Sequence, residues 1–92
     1  MPMNAEDTAT PLRMVIKRSC GFCMAAKRLL EGHGIAYEEI DVTMDAARHA
    51  ELRRQTGWPT VPIVSVGDHV IGGYMELVSV HRSGELKTLL EA

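Results

Sequence analysis

The sequence has few cysteines, no long apolar stretch and no excess of charge of one sign. Two cysteines in 92 residues are too few for the disulfide framework that holds small secreted domains together. No apolar run approaches the roughly twenty residues that a membrane-spanning helix requires, so we predict no membrane partner. Ten Lys and Arg oppose twelve Asp and Glu, for a net charge of −2. The chain therefore lacks the basic footprint of a nucleic-acid-binding protein.

The N-terminal residues also lack the features of a targeting signal. They contain no basic segment followed by an apolar one, and they carry Glu6 and Asp7 with no arginine before Arg13. This composition fits neither a secretory signal nor an organelle transit peptide, so we expect a cytoplasmic location. Because termini are commonly disordered unless they are tied down, we predict a disordered tail over residues 1–10 and one domain over residues 11–92.

The apolar pattern of this domain predicts an α/β fold with the order β-α-β-α-β-β-α-α. Short runs rich in β-branched residues predict strands, and apolar residues at helical spacing predict helices. Thr43 is the predicted N-cap of the second helix. A strand–helix–strand unit at the start implies parallel pairing with a right-handed crossover. The predicted strands cover residues 12–17, 36–42, 62–66 and 69–71, and the predicted helices cover residues 22–33, 44–56, 74–82 and 85–91.

The strongest chemical signal is the pair Cys20 and Cys23, separated by two residues where the first strand gives way to the first helix. Half of a zinc site and two inert thiols are the alternatives. Zinc needs two more ligands, and the four histidines contain no pair at zinc-finger spacing; we interpret all four as structural. A helix start instead suits redox chemistry, because exchange needs a thiolate and the first-turn N–H groups favour an anion.

The two sulfurs should differ in their roles. Cys20 precedes the first turn and can be exposed, whereas Cys23 lies on the helix face that carries Ala26 and Leu30. We therefore expect Cys20 to attack a disulfide and Cys23 to resolve the mixed disulfide that results. The helix dipole alone is too weak to ionise a thiol at neutral pH, so a nearby cation is also expected. Lys17 is the candidate, although a solvated lysine at a strand end is the alternative.

Four motifs in order resemble those of the glutaredoxins. They are Cys20-Gly21-Phe22-Cys23 with its helix, the segment 37–42, Thr60-Val61-Pro62 and Gly72-Gly73-Tyr74. The resemblance runs from about residue 14 to residue 90. It implies the thioredoxin fold, with a four-stranded mixed sheet flanked by helices and with the hairpin strands running against the first strand. It also implies glutathione as the reductant, and glutathionylated or disulfide-containing proteins as substrates.

The resemblance also implies a set of glutathione-binding residues. Val61 would offer its backbone to an extended glutathione, next to a cis Val61–Pro62 bond. The backbone amides that follow Gly72 would approach one carboxylate of the ligand, and Lys17 would pair with the other. Phe22 would form an apolar wall beside Cys20. The complete set implied is Lys17, Phe22, Thr60, Val61, Pro62, Gly73, Tyr74 and Met75.

Departures from the commonest glutaredoxin pattern leave other functions open. Gly21-Phe22 and Trp58-Pro59 resemble the single-cysteine branch of the family, whereas Cys23 and the position of Lys17 resemble the dithiol branch. The resemblance to glutaredoxins with a glycine at this position implies, as an alternative to a catalytic monomer, a [2Fe–2S] cluster held between two subunits by Cys20 and glutathione from each. A third hypothesis is a thioredoxin-like electron carrier that is reduced by a flavin reductase in place of glutathione.

Overall fold

The computed structural model describes residues 11–91. The tail predicted over residues 1–10 and the last residue of the predicted domain lie outside this range. The elements follow one another in the predicted order. They are β1 Leu12–Ile16, α1 Gly21–Gly32, β2 Glu38–Asp41, α2 Ala46–Thr56, β3 Ile63–Val66, β4 His69–Gly72, α3 Tyr74–Ser83 and α4 Glu85–Glu91. Among these helices none has the length and apolar character needed to cross a bilayer.

The four strands form one mixed sheet in the order β2-β1-β3-β4. Strand β1 pairs with β2 in parallel, with Val15 opposite Ile40. It pairs with β3 in the antiparallel sense, with Val15 opposite Ile63. Strand β4 is antiparallel to β3 and so returns in the direction of β1. The predicted mixed sheet is confirmed, but only one strand of the hairpin runs against β1.

The alternation of β1 divides the core between the two faces of the sheet. Leu12, Met14 and Ile16 pack on the face that is covered by α1, α3 and α4, together with Leu30 and Leu77. Val15 points to the opposite face, where Ile40, Val42 and Ile63 form a smaller cluster with Leu52 and Trp58 packed against it. Strand β1 is central and buried on both sides. Its carboxyl end therefore holds the loop of residues 17–20, which leads into α1, in a fixed position.

The start of α2 differs from the prediction. Asp45 is the N-cap, and its carboxylate accepts a hydrogen bond from the backbone N–H of Arg48 at 3.0 Å. Thr43 was predicted for that position and instead hydrogen-bonds to Asp41 and to the backbone of Arg18. Both residue types are good caps, so local sequence could not separate them. The tertiary contacts of Thr43 decide the outcome.

Candidate active site

Cys20 is the N-cap of α1, with extended backbone at φ −98° and ψ 113°. Its sulfur lies 3.1 Å from the backbone nitrogen of Cys23, whose N–H points at it. The sulfur is also 3.7 Å from the carbonyl oxygen of Val61. This position gives the sulfur one of the first-turn N–H groups that a helix cannot satisfy internally. A negative charge on the sulfur would therefore be stabilised by that donor and by the helix dipole.

Cys20 and Cys23 are joined by a disulfide, with their Cα atoms 5.2 Å apart. Cys20 is half-buried, whereas Cys23 is fully buried beside Ala26 and Leu30. The expected asymmetry of exposure is confirmed. A disulfide between an accessible sulfur and a buried one can be opened by an incoming thiolate only on the accessible side.

A groove of about 140 Å³ lies on the side of α1 that faces the Val61–Pro62 loop. Seven of the eight residues that the resemblance implied for glutathione line it. They are Phe22, Thr60, Val61, Pro62, Gly73, Tyr74 and Met75. The Val61–Pro62 bond is cis, as the resemblance implied. Sequence reasoning missed two further lining residues, Trp58 and Glu76.

One wall of the groove is aromatic and open to solvent. The ring of Phe22 is 63% exposed, and it stacks on Tyr74 with ring centroids 6.0 Å apart. Met75, 67% exposed, continues this surface. Apolar surface of this kind beside a reactive sulfur can contact the chain that flanks a substrate disulfide.

The eighth implied residue, Lys17, does not line the groove. It is half-buried, and its carbonyl oxygen accepts a hydrogen bond from the N–H of Cys20 at 3.3 Å. The only charged side chain in the lining is Glu76. The role that the resemblance implies for Lys17, pairing with a carboxylate of glutathione, stays a prediction. The N-termini of α1 and α3, which begin beside the groove, contribute positive potential to it.

The N-terminus of α3 is partly occupied by the protein itself. The N–H of Gly73 donates to the Glu76 carboxylate at 3.0 Å, which closes a capping arrangement over the first turn. This N–H was expected to meet a ligand carboxylate. The N–H groups of Tyr74 and Met75, which the helix cannot satisfy internally, are the remaining donors at this end of the groove.

A hydrogen-bonded chain fixes the loop that carries Cys20. The backbone N–H of Arg18 donates to the Thr43 hydroxyl at 2.8 Å, and that hydroxyl donates to Asp41 at 2.6 Å. The Arg18 side chain reaches the second oxygen of Asp41 at 3.0 Å. The hydrogen bonds from Thr43 have the largest effect on Asp41, and the contact with Arg18 adds to it. Together they lower the pKa of Asp41 to about 2. The loop between β1 and α1 is thus tied to the end of β2 by a carboxylate that stays ionised above about pH 3.

Two buried ring nitrogens near this region have no hydrogen-bond partner among residues 11–91, Nε1 of Trp58 and Nε2 of His49. The Trp58 ring lies against the backbone of Gly72 and Gly73 and so supports the wall of the groove that it lines. Burial, and then the positive charges of Arg53 and Lys17, lower the pKa of His49. His49 therefore remains a neutral core histidine at neutral pH.

Comparison with known proteins agrees with this geometry. A profile of the glutaredoxin family matches residues 12–71, which includes both cysteines and the Val61–Pro62 loop. The chain belongs to the glutaredoxin family. It is 37% identical over 73 residues to a glutaredoxin of Pseudomonas aeruginosa, a match that covers 79% of this chain and 87% of the relative.

Two further glutaredoxins are also similar to this chain. A monothiol glutaredoxin of Synechocystis is 33% identical over 72 residues, covering 78% of this chain and 67% of the relative. The crystal structure of a buckwheat glutaredoxin–glutathione complex superimposes with a TM-score of 0.80 at 34% identity, covering 88% of this chain and 76% of that one. The relatives thus include a monothiol type, while this glutaredoxin carries a dithiol pair.

Proposed function

We propose that this glutaredoxin is a glutathione-dependent thiol–disulfide oxidoreductase in which Cys20 is the nucleophile and Cys23 the resolving cysteine. The observation that carries the proposal is the placement of the Cys20–Cys23 pair. The half-buried sulfur of Cys20 receives the Cys23 N–H at 3.1 Å, beside a groove lined by seven of the implied glutathione-binding residues. A thiolate held at a helix N-terminus is the reactive species in exchange.

With a glutathionylated protein, the Cys20 thiolate attacks the glutathionyl sulfur, and the protein leaves as a thiolate that takes up a proton. A second glutathione thiolate then attacks the glutathionyl sulfur bound to Cys20. This step releases glutathione disulfide and restores the Cys20 thiolate. The N–H of Cys23 stabilises the negative charge on Cys20 before the first step and after the second.

With a protein disulfide, Cys20 forms a mixed disulfide with the substrate and Cys23 then attacks the Cys20 sulfur. This second attack releases the reduced substrate and closes the Cys20–Cys23 bond. Two glutathione molecules reopen it and leave as glutathione disulfide. The buried position of Cys23 suits the resolving role, because its only accessible electrophile is the neighbouring sulfur.

The test separates the two cysteines. Cys20→Ser should abolish turnover of a glutathionylated peptide and of a protein disulfide in an assay coupled to glutathione reductase. Cys23→Ser should retain the first activity and lose the second. Turnover of the glutathionylated peptide by the Cys20→Ser protein would contradict the assignment. Reduction by thioredoxin reductase in place of glutathione would favour the carrier function instead.

A second candidate is the binding of a [2Fe–2S] cluster by a homodimer. A side chain added at Gly21 would meet nothing within 4 Å, and the exposed ring of Phe22 and thioether of Met75 offer an apolar surface to a second copy. Within residues 11–91 no group of three or more His, Cys, Asp or Glu side chains is placed to hold a metal ion. The remaining ligands would come from the second copy and from glutathione.

The absorption spectrum after anaerobic reconstitution with iron, sulfide and glutathione tests this candidate. A visible cluster band in a dimer would support it, and a colourless monomer would reject it. The matched variant is Gly21→Pro, since proline is well tolerated at the first position of a helix. It should remove the band and keep oxidoreductase activity if glycine at position 21 is what admits the cluster.

A further inference from the structure

Two histidines meet on the surface away from the cysteines. His33 caps the C-terminus of α1, and His81 lies in the last turn of α3. Their ring centroids are 4.2 Å apart, and the rings are tilted by 51°. Together they line a groove with Ile35, Leu86 and Leu90, which is separate from the groove beside Cys20. We propose that His33 and His81 form a bidentate site for a divalent transition-metal ion, Cu²⁺ above all.

The separation of the rings fits a particular coordination geometry. With metal–nitrogen bonds of about 2.0 Å and nitrogens about 1.2 Å from the ring centre, two imidazoles at 90° to each other place their centroids about 4.5 Å apart. A tetrahedral angle requires about 5.2 Å by the same construction. The observed 4.2 Å is close to the first value. With one nitrogen of each ring turned towards a common point, this separation suits the 90° angle of tetragonal Cu²⁺ or Ni²⁺ better than the tetrahedral angle of Zn²⁺. Cu²⁺ also binds nitrogen donors more tightly than Ni²⁺.

The surrounding charge also favours a cation. Helices α1 and α3 both end at this pair, so the negative ends of two helix dipoles converge on the imidazoles. His33 is exposed and His81 is half-buried, so solvent can reach the site and water can complete the coordination. Lys87 also lines the groove and opposes a bound cation. No carboxylate lines the groove, so the two imidazoles are the protein's ligands.

Calorimetric titration of the full, untagged, disulfide-bonded protein with Cu²⁺ tests the site, because the disulfide keeps both cysteine sulfurs out of the measurement. We expect one ion per chain, a paramagnetic resonance spectrum with coupling to two nitrogens, and a rise in melting temperature. His33→Gln and His81→Gln should each weaken binding by about tenfold or more. The matched control His69→Gln removes an exposed histidine of β4 and should leave binding unchanged.

Two further results bear on the proposal. Lys87→Gln should tighten binding, because it removes the opposing charge from the groove. Zn²⁺ should bind more weakly than Cu²⁺. Equal Cu²⁺ affinity in the wild type, His33→Gln, His81→Gln and His69→Gln proteins would mean adventitious surface binding only and would overturn the site. Oxidoreductase activity should be the same in all four proteins, so this outcome is independent of the function proposed for Cys20.

Discussion

Replacing Gly72 with alanine should deform the groove wall and destabilise the protein. Gly72 has φ 126°, a backbone region that costs about 1 to 3 kcal/mol for other residues. A Cβ here would lie 2.9 Å from Cγ of Glu76 and 3.0 Å from Cη2 of Trp58. Overpacking of this kind costs about 1 to 3 kcal/mol. The two effects together amount to a loss of about 2 to 6 kcal/mol.

The matched control is Gly84→Ala. Gly84 also has a positive φ of 85°, but a Cβ there would meet nothing within 4 Å, so the cost is that of the backbone alone, about 1 to 2 kcal/mol. Urea unfolding followed by circular dichroism separates the two variants. With a slope of about 1 kcal/mol per molar, an extra 2 kcal/mol at Gly72 lowers the midpoint by about 2 M more than at Gly84.

Enzyme activity provides a second comparison of the Gly72→Ala and Gly84→Ala variants. Displacement of Trp58 and Glu76 in Gly72→Ala should raise KM for a glutathionylated peptide, whereas Gly84→Ala should leave it unchanged. Equal losses of stability in the two variants, with equal KM values, would refute the claim that the Trp58 ring and the Glu76 side chain press on the Gly72 backbone.

Further predictions concern three ionisable residues, Asp41, His49 and Lys17. Asp41→Asn should slow alkylation of Cys20, because it breaks the hydrogen-bonded chain that holds the loop, whereas Glu38→Gln, which removes a comparable surface ion pair on β2, should not. Since the pKa of Asp41 is lowered to about 2, its contribution to stability is complete above about pH 4 and should be lost as pH falls toward 2. The unfolding midpoints of wild type and Asp41→Asn should therefore converge in acid. Burial lowers the pKa of His49, so stability from this residue should be complete above about pH 6.5 and fall below it; an NMR titration that finds the pKa of His49 at or above about 6.5 would contradict this. Lys17→Glu should raise KM for glutathionylated peptides if Lys17 contacts the ligand, and an unchanged KM would remove Lys17 from the site.

The sequence was sufficient for the elements and for the position of the cysteines. The change from the apolar run ending at Ile16 to helical spacing after Phe22 locates the sulfurs at a helix start, because local periodicity determines both elements. The predicted N-cap of α2, Thr43, was wrong. Thr43 and Asp45 are both good N-cap residues, and only the long-range contact between Thr43 and Arg18 distinguishes them.

The groove was predictable in part. The motifs that resemble glutaredoxins named most of its lining, but spacing along the chain did not show that Lys17 lies outside it. Trp58 and Glu76 were missed as lining residues. Trp58 adjoins the predicted binding loop, and Glu76 stands at the third position of a helix, where a carboxylate returns to the N-cap. Both features can be seen in the sequence, but neither one predicts that the side chain of Trp58 or Glu76 lines this groove.

The central claim is tested most directly by the ionisation of Cys20. In a Cys23→Ser variant, which keeps the backbone N–H that faces the Cys20 sulfur, the rate of alkylation by iodoacetamide should be measured as a function of pH. We predict a midpoint well below the value of about 8.5 for a free cysteine. A midpoint at or above 8.5 would contradict it, since the helix N-terminus would then not stabilise the thiolate on which the proposed reaction depends.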